Sequence, residues 1–210
     1  WLTYPRGPGD WRSSRLENRE TAAGLLDFHP LTPERWPDLE HLFGLHGAAD
    51  GCWCMWWRIT RAQFERNRSE GNRKAFKAIV DDGLIPGILA YRGAEAVGWC
   101  SVAPREQYGA LERSRVLRRL DDRPVWSIVC FFIPRWEQGK GIATALLAAA
   151  VDYVHEQGGA LVEAYPTVPS KGKLPPGSGY MGVPSLFEKA GFEVVGKPTK
   201  GRLIMRLALE

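Results

Sequence analysis

Residues 127–154, SIVCFFIPRWEQGKGIATALLAAAVDYV, limit what this chain can fold into more than any other stretch. Residues 127–133 are an apolar run of the kind that forms a strand buried on both faces. A turn follows, Gln138-Gly139-Lys140-Gly141-Ile142-Ala143, and an alanine- and leucine-rich helical run begins at once. The first turn of a helix has main-chain N–H groups with no partner inside the helix, and it carries the positive end of the helix dipole. Glycines at 139 and 141 let an anion come close to the main chain, and Lys140 adds a charge at the rim. The unit predicts a site for a diphosphate-containing cofactor. The alternative is a plain tight turn joining a core strand to a core helix.

Three phosphate-binding patterns compete for this turn. A P-loop needs Lys and then Ser or Thr after its last glycine, and Ile142 follows Gly141, so that pattern fails. The dinucleotide pattern G-x-G-x-x-G is met in part, with Thr144 at its last position. Glu163 stands about 20 residues on, where a ribose-binding acid would sit. The unit comes late, however, and too little chain follows for further strand–helix units of about 30 residues each. The third pattern, Q/R-x-x-G-x-G/A, is matched at every specified position by residues 138–143.

With its preceding strand, this segment resembles the acyl-CoA-binding signature of the GNAT superfamily of N-acetyltransferases. Ser185-Leu186-Phe187-Glu188-Lys189-Ala190-Gly191-Phe192 is similar to that family's last helix, and residues 25–43 are similar to its first strand and helix. The resemblance spans roughly residues 21–210. It implies a mixed α/β fold: a central twisted sheet of six to seven strands, flanking helices, and a parallel strand pair that splays apart at the cofactor cleft.

Composition agrees with one domain. The chain has 210 residues, 44% of them hydrophobic, enough for one core. Residues 1–20, rich in Arg, Gly, Pro and Ser, are expected to be a flexible extension ahead of a domain at 21–210. A net charge of +4 is too small to imply nucleic acid but suits an anionic cofactor. No apolar run reaches about 18 residues and no signal sequence opens the chain, so no membrane association is expected. Four cysteines are too few for a disulfide scaffold, which predicts reduced thiols and a cytoplasmic location. Cys52-x-Cys54 with His46 is too tightly spaced for a usual zinc site and has no second pair, so no metal is expected. Cys100 and Cys130 fall inside apolar strands and read as core residues.

Elsewhere, Thr32-Pro33 opens a helix carrying Trp36, Leu39, Leu42 and Phe43 on one face, and Thr60 with Gln63 forms a capping box. Residues 75–80 continue a helical stripe, and residues 88–92 and 96–102 read as paired strands. Residues 105–124 are polar and arginine-rich, an expected solvated excursion. Residues 160–165 form the strand parallel to 127–133, and a last helix and two closing strands follow.

The resemblance implies direct attack of a substrate amine on the thioester of acetyl-CoA. The pantetheine arm would bond main-chain groups of Phe131, Phe132 and Ile133. The diphosphate would rest on Gln138, Gly139, Lys140, Gly141, Ile142 and Ala143. The family's usual proton donor is a Tyr in the last helix, replaced here by Phe187, and residues 125–133 lack the usual carboxylate. Tyr180 or Ser185 is expected as the acid and Glu163 as the base. Strand alternation puts Glu163 and Tyr165 on one face, where Tyr165 would also touch substrate. The alternative for Glu163 is an ion pair with an arginine of the excursion. Trp53, Trp56 and Trp57 are expected to wall the acceptor site, since indole faces attract ammonium groups; the alternative is that they pack the loop. The acceptor is expected to be a small-molecule or peptide amine, and a homodimer is possible. Two other readings stay open: an acyl-CoA-binding sensor or scaffold without turnover, and a dinucleotide enzyme.

Overall fold

The computed structural model describes residues 16–170, 174 and 179–209. The chain runs through β1 (Arg19–Thr21), β2 (Gly24–Pro30), α1 (Trp36–Phe43), α2 (Arg61–Asn67), α3 (Glu70–Asp81), β3 (Ile88–Arg92), β4 (Glu95–Pro104), the short α4 (Gly109–Glu112), β5 (Trp126–Phe132), α5 (Ile142–Glu156), β6 (Leu161–Ala164), α6 (Pro184–Glu188), β7 (Glu193–Thr199) and β8 (Arg202–Ala208). Among the described residues these strands form one eight-stranded sheet in the order β1-β2-β3-β4-β5-β6-β8-β7. β5 and β6 are parallel and the other neighbouring pairs are antiparallel. The mixed α/β fold is as expected, with more strands than the six to seven predicted.

The additional strand is β1, which lies in the expected extension. Residues 1–15 of that extension fall outside the described residues. Leu16 is buried in the core, and Arg19 ion-pairs with Asp152 on α5, fastening β1 to the helix. Polar composition hid this pairing, because a three-residue edge strand needs no apolar face.

Alternation along the strands explains why both faces of the sheet are dry. Ile88, Ala90, Cys100 and Val102 point to α5, whose Leu146, Leu147, Ala150 and Val154 cover them. Leu89, Tyr91 and Trp99 point to the other face, where α1 and α3 supply Leu39, Phe43, Phe76 and Val80 and the loop after α1 supplies Trp53 and Met55. Each large side chain buried in this way contributes about 1.5–3 kcal/mol. The capping box at α2 forms as read: the Thr60 hydroxyl accepts from the Gln63 main chain at 3.2 Å, and the Gln63 side chain accepts from the Thr60 main chain at 2.9 Å.

Residues 105–124 depart from expectation. They begin as a polar excursion, yet Arg105 is wholly buried beneath them. Its guanidinium bonds Glu112 (2.6 Å), Glu163 (2.8 Å), the Tyr165 hydroxyl (2.7 Å) and the Leu117 carbonyl (2.5 Å), so the excursion is packed around one charge.

Candidate active site

β5 and β6 stay in register only from Trp126↔Val162 to Ile128↔Ala164. Beyond that point β6 ends while β5 runs on to Phe132, still paired on its other edge with β4. Its register with β4 shifts here, Ser101 facing Cys130 and Val102 facing Ile128, so Val129 is an inserted bulge residue. Among the described residues, the edge of β5 from Val129 to Phe132 that faces β6 has no strand partner. That is the geometry that lets an extended arm bond to a sheet.

The same strand leads to the turn at residues 138–143. Gly139 and Gly141 have φ of +78° and +85°. A Cβ at Gly139 would meet nothing within 4 Å, so its main chain lies open. Gly141 is the N-cap of α5, and the first bond back to it comes from Ala145 at 3.1 Å. The N–H groups of Ile142, Ala143 and Thr144 therefore precede the first helical bond and are available to an anion. The Gln138 side chain donates to the Ile133 carbonyl at 3.1 Å and ties the turn to the strand end. Lys140 is more constrained than the sequence implied: its ammonium pairs with Glu137 at 3.2 Å, and Arg92 forks the same carboxylate at 2.9 Å on both oxygens. These two cations hold the Glu137 carboxyl below its ordinary range. Phe131 is buried against Phe187, Phe132 meets Phe43 edge-on, and Ile133 is half-buried. These residues fit a diphosphate-bearing acyl carrier: an open strand edge leads into an open glycine turn with main-chain donors.

A cavity of about 870 Å³ opens on the side of the bulge. Its wall includes Asp50, Cys52, Cys54, Trp56, Trp57, Val129, Cys130, Tyr180 and Arg202. The turn Gly179–Met181 packs against β5 and brings Tyr180 there. Burial raises the Tyr180 phenol above its ordinary value, and the neighbouring Cys130, Asp50 and Cys52 add to the shift.

Several residues expected at this site lie elsewhere. Glu163 is 1% exposed, and each of its oxygens is held by a guanidinium, Arg105 at 2.8 Å and Arg206 at 2.7 Å. It also accepts from the Tyr165 hydroxyl at 2.6 Å. A carboxylate held in that way cannot reach an incoming ammonium, so the ion-pair alternative replaces the base. Tyr165, on the same face as expected, is buried with it and does not line the cavity; its hydroxyl also meets Ser127 at 2.8 Å. Trp53 is buried, stacked on Trp36 and tilted against Phe43, in the core rather than on the acceptor wall. Trp56 and Trp57 do line the cavity, but the Arg61 guanidinium already covers the Trp56 ring at 4.0 Å. Ser185 is exposed at the start of α6 and is not part of the cavity wall. Phe187 is fully buried.

Other wall residues were not singled out by the sequence as binding groups. Cys130, expected in the core, lines the cavity together with Cys54, whose sulfur accepts from Trp99 Nε1 at 3.0 Å. The neighbouring Cys130 and the Trp99 donor lower the Cys54 thiol, while the neighbouring Cys54 and burial raise Cys130. Burial pushes the Cys52 thiol up to about 12. Arg202 opens β8 far along the chain, and its one sequence signal is a charge next to Gly201 at the head of an apolar strand.

No curated protein matches the chain by sequence. Among solved structures it is similar to a GNAT-family acetyltransferase from Listeria monocytogenes (10% identity, TM-score 0.57, covering 92% of this chain and 100% of that one). It is also similar to the PaiA N-acetyltransferase from Thermoplasma acidophilum in complex with coenzyme A (14% identity, TM-score 0.51, 88% and 99%). A third is the polyamine N-acetyltransferase of Drosophila melanogaster (10% identity, TM-score 0.53, 88% and 100%). At these identities the likeness is one of fold. The sequence profile of the Acetyltransferase (GNAT) family matches residues 53–171, more than half of the chain and inclusive of the open β5 edge and the glycine turn. The chain belongs to the GNAT acetyltransferase family, enzymes whose acyl donor is acetyl-CoA.

Proposed function

We propose that this enzyme moves an acetyl group to a primary amine of a small molecule or peptide by direct attack. The observation that carries the reading is the splay after Ile128 and Ala164, which leaves an open β5 edge that borders the cavity at Val129 and Cys130 and leads on to the open helix N-terminus at residues 138–143. Fold neighbours described as N-acetyltransferases support an amine as acceptor. Acetyl-CoA supplies a thioester whose carbonyl carbon the acceptor nitrogen attacks, forming a C–N bond as the C–S bond breaks. Main-chain donors of residues 138–143 hold the diphosphate end, and the free edge of residues 131–133 aligns the arm, so the reacting carbon is positioned before attack.

Tyr180 gives the proton that the leaving sulfur needs. Its place on the wall beside β5 and its raised phenol support this, because it keeps its proton until it is used. Asp50 takes the proton from the acceptor ammonium, directly or through water. Of the two wall carboxylates, Glu65 is already bound by Arg61 and Arg68, and Asp50 has no ion pair among the described residues. Calorimetric titration with acetyl-CoA, with NAD and ATP as controls, tests the donor side. A screen of amines by thiol release then tests transfer. Saturable binding of acetyl-CoA alone, followed by thiol release with an amine, is the expected result; binding without release by any amine would favour a non-catalytic acyl-CoA-binding role.

A further inference from the structure

Three arginines reach the cavity wall, Arg61, Arg68 and Arg202. The first two have mostly exposed side chains and share Glu65 at 2.6 and 3.0 Å. Arg202 is half-buried, and its Nη1 donates to two uncharged acceptors, the Tyr165 carbonyl at 2.8 Å and the Met181 sulfur at 3.0 Å. No carboxylate pairs with it among the described residues. Burial lowers the Arg202 guanidinium from its ordinary value, and among the described residues no anion offsets the shift. A partly dehydrated cation without a counter-charge is costly, and a ligand anion would relieve that cost.

The two neutral partners also aim the guanidinium. Tyr165 follows the last residue of β6, where the parallel pair parts, and Met181 follows Tyr180. The guanidinium is thus tethered on the cavity wall beside Met181 and the residue that follows β6. The diphosphate cradle is elsewhere, since residues 138–143 are not part of this wall. A guanidinium held by one nitrogen can present its remaining N–H groups to a carboxylate in paired geometry. On the same wall, Asp50 is the unpaired carboxylate that suits an ammonium.

Resting on the acetyl-transfer reading above, we infer that the acceptor is an amino acid, an amine that also carries a free carboxylate, and that Arg202 binds that carboxylate and sets specificity. A cavity of about 870 Å³ leaves room for a sizeable side chain as well.

The test begins with calorimetric binding of acetyl-CoA to the full chain. Thiol release is then measured on matched acceptors: amino acids, their carboxamides and the corresponding decarboxylated amines. Each acid is expected to exceed its carboxamide in kcat/KM by about 10–100-fold, the worth of a charged hydrogen-bonded pair. Arg202→Met should bring that ratio close to one, and Arg202→Lys should keep part of it. Equal use of acids, carboxamides and amines by the wild type, or a ratio that survives Arg202→Met, overturns the carboxylate assignment and leaves acetyl transfer standing. Failure to bind acetyl-CoA, or binding with no turnover of any acceptor, overturns the transferase reading and this inference with it. Should Arg202→Met not fold, the wild-type ratios and Arg202→Lys still decide.

Discussion

The turn at residues 138–143 follows the open β5 edge and the loop at residues 44–58 walls the cavity, and they keep their shapes by different means. In the turn, φ is positive only at Gly139 and Gly141, where it carries no steric penalty. In the loop, Ala48, Asp50, Trp53 and Cys54 all adopt positive φ. Each such residue costs about 1–2 kcal/mol relative to a relaxed main chain. Burial of Trp53, Cys54 and Met55 and bonds such as Asn72 Nδ2 to the Gly51 carbonyl at 2.9 Å offset that cost. Gly47 shows how tight the loop is: a Cβ there would lie 2.2 Å from the Trp53 ring nitrogen. The turn offers main-chain groups and needs little from its surroundings. The loop presents side chains and depends on the core beneath it.

Trp53→Ala should separate the two regions most sharply. Loss of this ring, stacked on Trp36 and tilted against Phe43, is expected to cost about 3–5 kcal/mol in denaturant unfolding. Acetyl-CoA affinity should persist in the folded fraction; a variant as stable as the wild type would mean that the loop carries its own strain. Gly141→Glu should do the reverse. A side chain at φ +85° costs about 1–2 kcal/mol of stability, while the carboxylate at the helix N-terminus weakens acetyl-CoA binding by about 100-fold or more in calorimetry. Unchanged affinity in a folded variant would remove the turn as the diphosphate site.

Tyr180→Phe tests the cavity side without disturbing the fold. Its kcat should fall by about 100-fold with little change in melting temperature. Because the phenol is raised, the alkaline fall of wild-type kcat should lie above the ordinary tyrosine value of about 10. That limb should vanish in the variant, and an unchanged profile would dismiss Tyr180 as the acid. The smallest effect is expected at the rim of the turn. Glu137 is held below its ordinary value, so its contribution to stability is present above about pH 4.3 and is lost as pH falls through its lower folded value. Glu137→Gln should therefore lose stability at neutral pH, and the gap should close in strong acid when unfolding is followed by circular dichroism. A gap independent of pH would point to packing instead.

The same contrast explains what the sequence reveals. A main-chain site is written in glycine positions and in strand-to-helix order, so the β5–turn–α5 unit and the family could be read from residues 127–154. The irregular loop has no period, and nothing in Trp53, Trp56 and Trp57 says which ring turns inward. Alternation correctly put Glu163 and Tyr165 on one face, but which face depended on Arg105. That residue is buried in a stretch whose charge density reads as solvated. Cys130 looked like core because its strand is apolar, and only the bulge at Val129 shows that it borders a cavity. Arg202 reaches the site through sheet order, which brings β8 beside β6.

That order also bears on how the chain folds. β8 is the last strand in sequence but lies inside the sheet between β6 and β7. It delivers Arg206 to Glu163, 43 residues earlier in the chain, and to Asp121, 85 residues earlier. Contacts of such long range close late and slow the search for the native state. Until β8 docks, Glu163 lacks one of its two guanidinium partners and β6 has an unpaired edge, a species open to proteases and to strand exchange between molecules. Docking of β8 thus closes the open edge of β6 and completes the charge pairing of Glu163 in one step.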